Sequence, residues 1–295
     1  MTVMTDQIRP NERLEYSAII DRPVLKLPDG ARMIVWTILN VEVWDSTKPQ
    51  PRMVITPAAG GSPIPDVPNW AWHEYGNRVG FWRLKEVLDA FEVPTTLALN
   101  GSICTEYPRI AEEALKANWE FMGHGFSQLS MQKVEDERLD IQKTRDIIQE
   151  FTGKQPRGWL GPALTETFET VDLLKEEGFE YVADWVLDDQ PVELKTRAGT
   201  LVNIPYTQET NDVAMMLIQH HKASEYADRA LDQFEAFYED SLTQPRVMAL
   251  PCHPYIVGVP HRIKYFRKIF ETIRRKPGVL FWTGSQILDW YLSQK

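Results

Sequence analysis

The sequence predicts a single-domain α/β protein folded as a distorted (β/α) barrel of seven or eight strands. Short β-branched and apolar runs alternate along the chain with longer segments whose apolar residues recur at helical spacing. Strands that alternate with helices form parallel sheets, and seven or eight such units favour a closed barrel over an open sheet. The 295 residues, 43% of them hydrophobic, are enough for one large core.

The first elements follow from local patterns. Residues 1–30 are predicted as an N-terminal extension and residues 31–295 as the barrel. The first strand, 33–39, is β-branched, apolar and too short for a helix, which suits a strand buried on both faces. Residues 45–77 are rich in proline and tryptophan and are predicted as a loop over the active site. No glycine-rich phosphate loop follows the first strand, so a nucleotide-binding fold is disfavoured.

The later elements repeat one pair of patterns, a helical stripe followed by an apolar strand. The segment 223–238, for example, aligns Tyr226, Ala230 and Phe234 on one face, as an amphipathic helix does. The predicted helices are 78–91, 108–117, 133–151, 167–177, 223–238, 261–275 and 284–293. The predicted strands after the first are 94–99, 119–122, 157–160, 181–183, 200–204, 213–218, 247–250 and 279–282.

Composition disfavours several kinds of partner. The formal net charge of −10 disfavours nucleic acid and anionic membrane surfaces. No apolar run approaches the ~18 residues of a membrane span, and the N-terminus lacks the basic and apolar segments of a secretory signal. Cys104 and Cys252 lie in no metal-binding or redox spacing, which favours reduced thiols in a cytoplasmic protein.

Candidate functional residues follow from the barrel prediction. Polar side chains just past the carboxyl end of a parallel strand face the shared mouth of a barrel. Four of the six histidines lie at such positions, and core histidines have no reason to prefer one rim. The residues at these ends are Asn40, Glu42, Asn100, His124, Arg157, Trp159, Asp184, Trp185, Tyr206, His220 or His221, and His253.

The two strongest candidates have structural alternatives. His124, flanked by glycines at the end of a strand, is as well explained by hydrogen bonds to backbone carbonyls as by catalysis. Glu42 could be a solvated loop carboxylate. However, Val41, Val43 and Trp44 surround it, and an apolar environment would raise the pKa of Glu42 and suit it to act as a base.

The other candidates are weaker. Arg157 fits either a surface position or a clamp on a substrate oxygen. His220 and His221 are adjacent on a predicted strand and point to opposite faces, so at most one faces the mouth. For the same reason a nucleophilic pair of Cys252 and His253 is disfavoured.

Four short motifs, in this order, resemble those of the polysaccharide deacetylase family. They are Leu39-Asn40-Val41-Glu42, Gly123-His124-Gly125-Phe126-Ser127-Gln128, Arg157-Gly158-Trp159-Leu160-Gly161-Pro162, and Cys252-His253-Pro254-Tyr255 with Pro260-His261-Arg262. The resemblance covers roughly residues 30–290 and implies a distorted β/α barrel that hydrolyses amide or related C–N bonds. In the metal-dependent branch, the first motif supplies an aspartate base and an aspartate ligand. The second motif there supplies two histidine ligands four residues apart.

This sequence departs from that pattern at three positions. Asn40 stands at the base position, Glu42 at the carboxylate ligand, and Gln128 at the second histidine. A neutral amide oxygen is a poor zinc or cobalt ligand, and a stable catalytic zinc site normally needs three protein ligands. The resemblance therefore implies no metal cofactor. Zinc or another divalent ion at Glu42 and His124 is the alternative.

The whole-chain pattern, including the aromatic segment 70–76, resembles the family's cyclic-amide branch, which contains metal-independent allantoinases and bacterial cyclic imide hydrolases. The resemblance implies ring opening of a small cyclic amide, imide or ureide. Glu42 or His124 would activate water and His253 would protonate the leaving nitrogen. The expected substrate contacts are Asn40, Trp72, His73, Gln128, Arg157, Trp159 and His220.

Other possibilities stay open. Trp70 and Trp72 would either cover the mouth or lie at a subunit contact, and a homo-oligomer is expected. A metal-dependent deacetylase of N-acetylated saccharides would use Glu42, His124 and a further histidine as ligands. A catalytically inactive barrel would bind a ligand without turning over any cyclic amide.

Overall fold

The computed structural model describes residues 7–56 and 64–295. Its strands are β1 (Met33–Val41), β2 (Thr95–Leu99), β3 (Glu120–Gly123), β4 (Gly158–Trp159), β5 (Tyr181–Val182), β6 (Val192–Thr196), β7 (Gly199–Asn203), β8 (Arg246–Cys252) and β9 (Val279–Phe281). Its α-helices are α1 (Val67–Tyr75), α2 (Phe81–Ala90), α3 (Ile103–Glu106), α4 (Pro108–Lys116), α5 (Glu137–Thr152), α6 (Thr170–Glu176), α7 (Ala223–Asp240), α8 (Ile263–Ile273) and α9 (Gly284–Leu292). Two π-helical segments are Gly76–Gly80 and Val213–Ile218.

The strands form one curled sheet in the order β6-β7-β5-β4-β3-β2-β1-β8. Every pair is parallel except the β6–β7 hairpin. Strand β9 pairs with the first residues of β1, and β2 pairs with the last residues of β1. Where the two ends of the sheet approach each other, the Val247 N–H donates to the Asp189 carbonyl at 2.9 Å. This curled half-barrel confirms the predicted distorted barrel.

Side chains alternate between the two faces of the sheet. On β1, Ile34, Trp36 and Ile38 point into the barrel, while Met33, Val35 and Leu39 pack against the outer helices. Helix α9 closes the floor with Ile287, Leu288 and Trp290. Because the side-chain period of a strand is two, the same parity directs Asn40 and Glu42 inward at the carboxyl end of β1.

Three segments differ from the sequence prediction. Residues 213–218 form a π-helix instead of a strand, because a short apolar run fits either element. Strand β6 was not predicted, since its exposed positions carry polar residues. Within the predicted loop 45–77, residues 67–75 form helix α1. Its N-cap is Asp66, whose side chain accepts the Asn69 N–H.

Part of the sequence prediction falls on segments that the structure does not describe. Residues 1–6 of the predicted extension and 57–63 of the predicted loop, with Pro57 and Pro63, lie outside the described residues. Across 7–56 and 64–295, no helix combines the length and apolar character of a bilayer span.

Candidate active site

The candidate site lies at the carboxyl ends of β1, β3 and β8, where Glu42, His124 and His253 meet. The carboxylate oxygen Oε1 of Glu42 lies 3.5 Å from His253 Nε2 and 3.8 Å from His124 Nε2. All three side chains are buried. They converge because each residue has the inward parity of its strand. The parity also separates Cys252 from His253, since Cys252 packs in the outer core.

A buried carboxylate holds His253. Asp212 Oδ1 lies 2.6 Å from His253 Nδ1, and Asp212 Oδ2 accepts the His253 backbone N–H at 2.7 Å. Burial alone would lower the pKa of His253, but the charges of Asp212 and Glu42 outweigh burial and raise this pKa to about 9. His253 is therefore an imidazolium at neutral pH, with Nε2–H directed at Glu42.

Glu42 has the opposite electrostatic environment from the one its neighbours in sequence suggested. Burial would raise its pKa, but the positive charges of His253 and Arg52 hold the pKa of Glu42 well below its ordinary value. Trp44 Nε1–H also donates to Glu42 Oε2 at 3.1 Å. The expected raised pKa was thus wrong, because sequence neighbours do not reveal which charges face a side chain.

A chain of hydrogen bonds fixes the orientation of the Gln128 amide. The backbone N–H of Val43 donates to Asn100 Oδ1 at 2.8 Å, which leaves Asn100 Nδ2 as a donor. Asn100 Nδ2 donates to Gln128 Oε1 at 3.2 Å, and Gln128 Nε2 donates to Glu42 Oε1 at 3.0 Å. Gln128 therefore presents an N–H to the site, and its amide oxygen is turned away.

The tautomer of His124 is also fixed. Its Nδ1 lies 2.6 Å from the carbonyl oxygen of Leu160, and a carbonyl only accepts, so Nδ1 carries the hydrogen. In the neutral ring Nε2 then carries a lone pair. This nitrogen is buried, has no hydrogen-bond partner in the described part of the chain, and faces Glu42.

An aromatic wall borders Glu42. His73 stacks on Trp44 with ring centroids 4.3 Å apart, and Tyr255 packs edge-on against His73 and Trp72 at 4.7 and 4.9 Å. Burial lowers the pKa of His73 to about 4, so its ring is neutral. Arg52 donates to the Tyr255 hydroxyl and lies 3.8 Å from Glu42 Oε2. Trp72 thus packs against the site of its own chain.

Glycines in the first π-helical segment allow Tyr255 to reach this wall. A Cβ at Gly80 would lie 2.1 Å from the Pro254 carbonyl oxygen, and one at Gly76 would lie 2.7 Å from the Tyr255 nitrogen. Side chains at these two positions would push the helices away from 254–255. On the floor of the site, Asn40 Nδ2 donates to the Tyr206 hydroxyl at 3.2 Å and to the Cys252 carbonyl at 3.3 Å.

Three predicted substrate contacts lie elsewhere. Arg157 precedes β4, at the opposite end of the barrel, where it pairs with Glu180 and Asp289. The Trp159 side chain is buried on the outer face of the sheet, with its ring centroid 5.4 Å from that of Phe179. His220 is exposed in the loop that follows the π-helix Val213–Ile218. The strand at 157–160 was predicted correctly, but Arg157 lies at its amino end and Trp159 has the outward parity. His220 was misplaced because the segment 213–218 before it is not a strand.

Sequence reasoning missed Asp212 and Arg52. Asp212 directly precedes Val213–Ile218, which was predicted as a strand. Asp212 therefore fell at the amino end of that predicted strand, away from the mouth of the barrel. Arg52 lies in the segment before α1, where no periodicity predicts a direction for the side chain. Tyr255 was visible only as the last residue of a motif.

These residues do not fit a bound metal ion. No group of three or more His, Cys, Asp or Glu side chains in 7–56 and 64–295 has metal-binding geometry. Gln128 turns an N–H toward Glu42, and the positively charged His253 and Arg52 face the same carboxylate. Positive charges and amide N–H groups repel a cation.

The fold and the sequence have clear relatives. The family model for polysaccharide deacetylase matches residues 73–182. A protein of Schizosaccharomyces pombe assigned to the polysaccharide deacetylases is 30% identical in an alignment of 236 positions that covers 72% of this chain and 73% of that protein. These similarities support a hydrolase of carbon–nitrogen bonds.

Solved structures agree at the level of the fold. A protein of Pseudomonas aeruginosa PAO1 described as a probable polysaccharide deacetylase has a TM-score of 0.82 at 22% identity, over 92% of this chain and 95% of that one. The structure of PuuE allantoinase has a TM-score of 0.81 at 22% identity, over 99% and 98%. The chain belongs to the polysaccharide deacetylase family.

Proposed function

We propose that this protein opens the ring of a small cyclic amide or imide by hydrolysing its carbon–nitrogen bond, without a metal ion. One observation carries the proposal. Glu42 lies between a protonated imidazole, His253, and an imidazole whose lone pair faces it, His124. An acid, His253, and a base, His124, thus lie on either side of one carboxylate, and amide hydrolysis can use such a pair to activate water and to protonate the leaving nitrogen.

The attacking water would lie in front of His124 and Glu42. His124 Nε2 and Glu42 Oε1 are both acceptors, so a water between them donates one hydrogen to each. Because the pKa of Glu42 is held low, the carboxylate is a weak proton acceptor, and we assign the proton to His124 Nε2. As the water oxygen bonds to the ring carbonyl carbon, its proton passes to His124 Nε2, and the carboxylate stabilises the resulting imidazolium.

The leaving nitrogen takes its proton from His253. The tetrahedral intermediate collapses, the ring C–N bond breaks with its electron pair on nitrogen, and His253 Nε2 supplies the proton, while Asp212 holds the ring in place. The oxyanion faces the charge of Arg52 and the second N–H of Gln128. Hydrolysis of an imide yields one carboxylic acid and one amide. Proton exchange with solvent then restores both histidines.

The charges and shape of the site favour a flat, uncharged ring. Glu42 and Asp212 are balanced by Arg52 and His253, so an anionic substrate gains no net attraction. Trp44, the neutral His73 and Tyr255 form an aromatic border against which a planar ring can pack. The similarity to PuuE allantoinase over nearly the full length of both chains supports the same substrate class.

A substrate panel tests the proposal. We expect ring opening of at least one of succinimide, dihydrouracil, hydantoin and allantoin, and no acetate from N-acetylglucosamine oligomers. His253→Asn should lower kcat by about 10²–10⁴-fold, the range for loss of a general acid. His220→Asn is the matched control, because His220 is exposed with φ +57, a conformation that asparagine tolerates. Acetate release with no turnover of any cyclic compound would contradict the proposal.

A second candidate is a metal-dependent deacetylase of N-acetylated saccharides. The observation in its favour is the buried, unpartnered Nε2 of His124 beside a carboxylate, among the described residues. It requires stoichiometric zinc or cobalt in protein purified without chelator or nickel affinity resin, and loss of both metal and activity on EDTA treatment. A catalytically inactive barrel predicts no turnover of either substrate class.

A further inference from the structure

A pair of carboxyl groups lies behind His124, on its Nδ1 side. Asp184 follows β5, and Glu166 lies between β4 and α6. Asp184 Oδ1 accepts the backbone N–H of Gly161 at 2.7 Å, while its Oδ2 is buried with no donor facing it in the described chain. Glu166 Oε1 accepts the indole N–H of Trp185 at 2.8 Å. The mechanism above uses neither carboxyl group.

One peptide unit links this pair to His124. The carbonyl of the Leu160–Gly161 peptide accepts His124 Nδ1–H at 2.6 Å, and the N–H of the same peptide donates to Asp184. A peptide group is planar, so a rotation that breaks one of these hydrogen bonds breaks the other. Fixing the N–H therefore fixes the carbonyl, and this carbonyl selects the tautomer of His124.

The second carboxyl group explains the orphaned oxygen of Asp184. Burial and the charge of Glu166 raise the pKa of Asp184 well above its ordinary value, and burial raises the pKa of Glu166 to about 7. Once protonated, Asp184 could donate from Oδ2 to Glu166, while Oδ1 still accepts the Gly161 N–H. The other charged groups that act on Glu166 are Arg13 and Glu137.

We propose that Asp184, supported by Glu166, is a positioning residue that fixes His124 in the Nδ1–H tautomer through the Leu160–Gly161 peptide. Hydrogen bonds run from Asp184 through the peptide to the imidazole, and they direct the Nε2 lone pair toward Glu42. Glu166 would extend this chain by accepting a hydrogen bond from a protonated Asp184. The kinetic consequence rests on the proposed function. The effect on the tautomer does not.

The tautomer can be read directly by ¹⁵N NMR of the histidine side chains, in the wild type and three variants. Asp184→Asn keeps an acceptor for Gly161 and a donor for Glu166, so it should keep the Nδ1–H tautomer. Asp184→Leu removes the acceptor and should give a mixture of tautomers. Glu180→Gln is the matched control, because Glu180 lies at the other end of β5 and pairs with Arg157.

On the cyclic substrate, Asp184→Leu should lower kcat about 10–100-fold, as loss of an orienting partner does. Asp184→Asn should restore kcat to within about threefold of the wild type, with KM nearly unchanged in both variants. A single Nδ1–H tautomer in folded Asp184→Leu would overturn the proposal. If Asp184→Leu does not fold, the proposal is tested on the other two proteins. It would be overturned if His124 were the Nε2–H tautomer in the wild type, or became that tautomer in Asp184→Asn. Expected tautomers without turnover of any cyclic substrate would refute the proposed function alone.

Discussion

His253 and His124 have different hydrogen-bond partners at their ring Nδ1 atoms. A carboxylate, Asp212, faces Nδ1 of His253, whereas a neutral carbonyl faces Nδ1 of His124. A carboxylate partner favours the charged ring, and a carbonyl partner fixes a neutral tautomer without adding charge. In the proposed mechanism, the same side chain would therefore serve as an acid at the end of β8 and as a base at the end of β3.

Asp212→Asn should move the alkaline limb of the pH–activity profile. The pKa of His253 is raised to about 9, so its acidic form is present below this pH and is lost as pH rises through it. Without the Asp212 charge, the pKa of His253 falls and the alkaline limb of kcat/KM moves to lower pH. An unchanged limb in folded Asp212→Asn would show that His253 is not the acid.

Gln128→Glu tests the role of the amide N–H. Its donor atom lies 3.0 Å from Glu42 Oε1, so the variant brings two carboxylates together, and they can ionise together only at high cost. Glu42 would then share a proton near neutral pH, and kcat/KM should fall by about tenfold or more at pH 7. Gln149→Glu, on the exposed face of α5, is the charge-matched control. Equal activity in the two variants would remove Gln128 from the mechanism.

A carboxylate on β3, that of Glu120, binds the N-terminus of helix α9 at the floor of the barrel. Glu120, at the start of β3, accepts the Ser285 N–H at 3.0 Å and the hydroxyls of Tyr181 and Thr96 at 2.9 and 2.7 Å. Ser285 lies in the first turn of α9, where backbone N–H groups lack partners within the helix. The carboxylate also carries the charge that a helix N-terminus favours.

Glu120→Ala should therefore destabilise the fold by roughly 2–3 kcal/mol, since buried donors lose their acceptor. Urea unfolding followed by circular dichroism measures this free energy. Glu180→Ala, which removes a carboxylate from a half-exposed pair with Arg157, should change stability by less than about 1 kcal/mol. Similar losses in both variants would mean that the α9 N-terminus does not depend on Glu120.

The extension before β1 is held to the barrel by a buried ion pair. Arg13 donates to Asp172 Oδ1 and Oδ2 at 3.2 and 2.7 Å, and to the carbonyls of Lys195 and Phe168. Both side chains of the pair are almost completely buried. Such pairs are costly to break from one side, because the remaining charge stays buried.

Arg13→Ala should destabilise the protein by about 3–5 kcal/mol, measured by urea unfolding at pH 7. Burial would raise the pKa of Asp172, but Arg13 outweighs burial and holds this pKa below its ordinary 3.8. The contribution of Asp172 is thus present above the pKa of the unfolded chain and lost as pH falls through the folded pKa. The variant should show less acid sensitivity than the wild type. Equal acid sensitivity would contradict this assignment.

The sequence was sufficient for the fold and for much of the site's location. Regular alternation predicted the barrel, and position at the carboxyl ends of the predicted strands led to Glu42, His124 and His253, because both depend on short-range periodicity. Asp212 and Arg52 were missed because they lie in segments without strand periodicity and reach the site only through tertiary packing. The low pKa of Glu42 was missed for the same reason.

In the proposed mechanism, Glu42 serves catalysis and does not bind a metal. The most direct test is turnover of a cyclic imide by protein that has been stripped with chelator and shown by elemental analysis to contain less than about one-tenth of an equivalent of zinc, cobalt, nickel or manganese. We predict that ring opening continues at the untreated rate. Loss of turnover on stripping, with recovery on adding back one equivalent of metal, would contradict metal-independent ring opening.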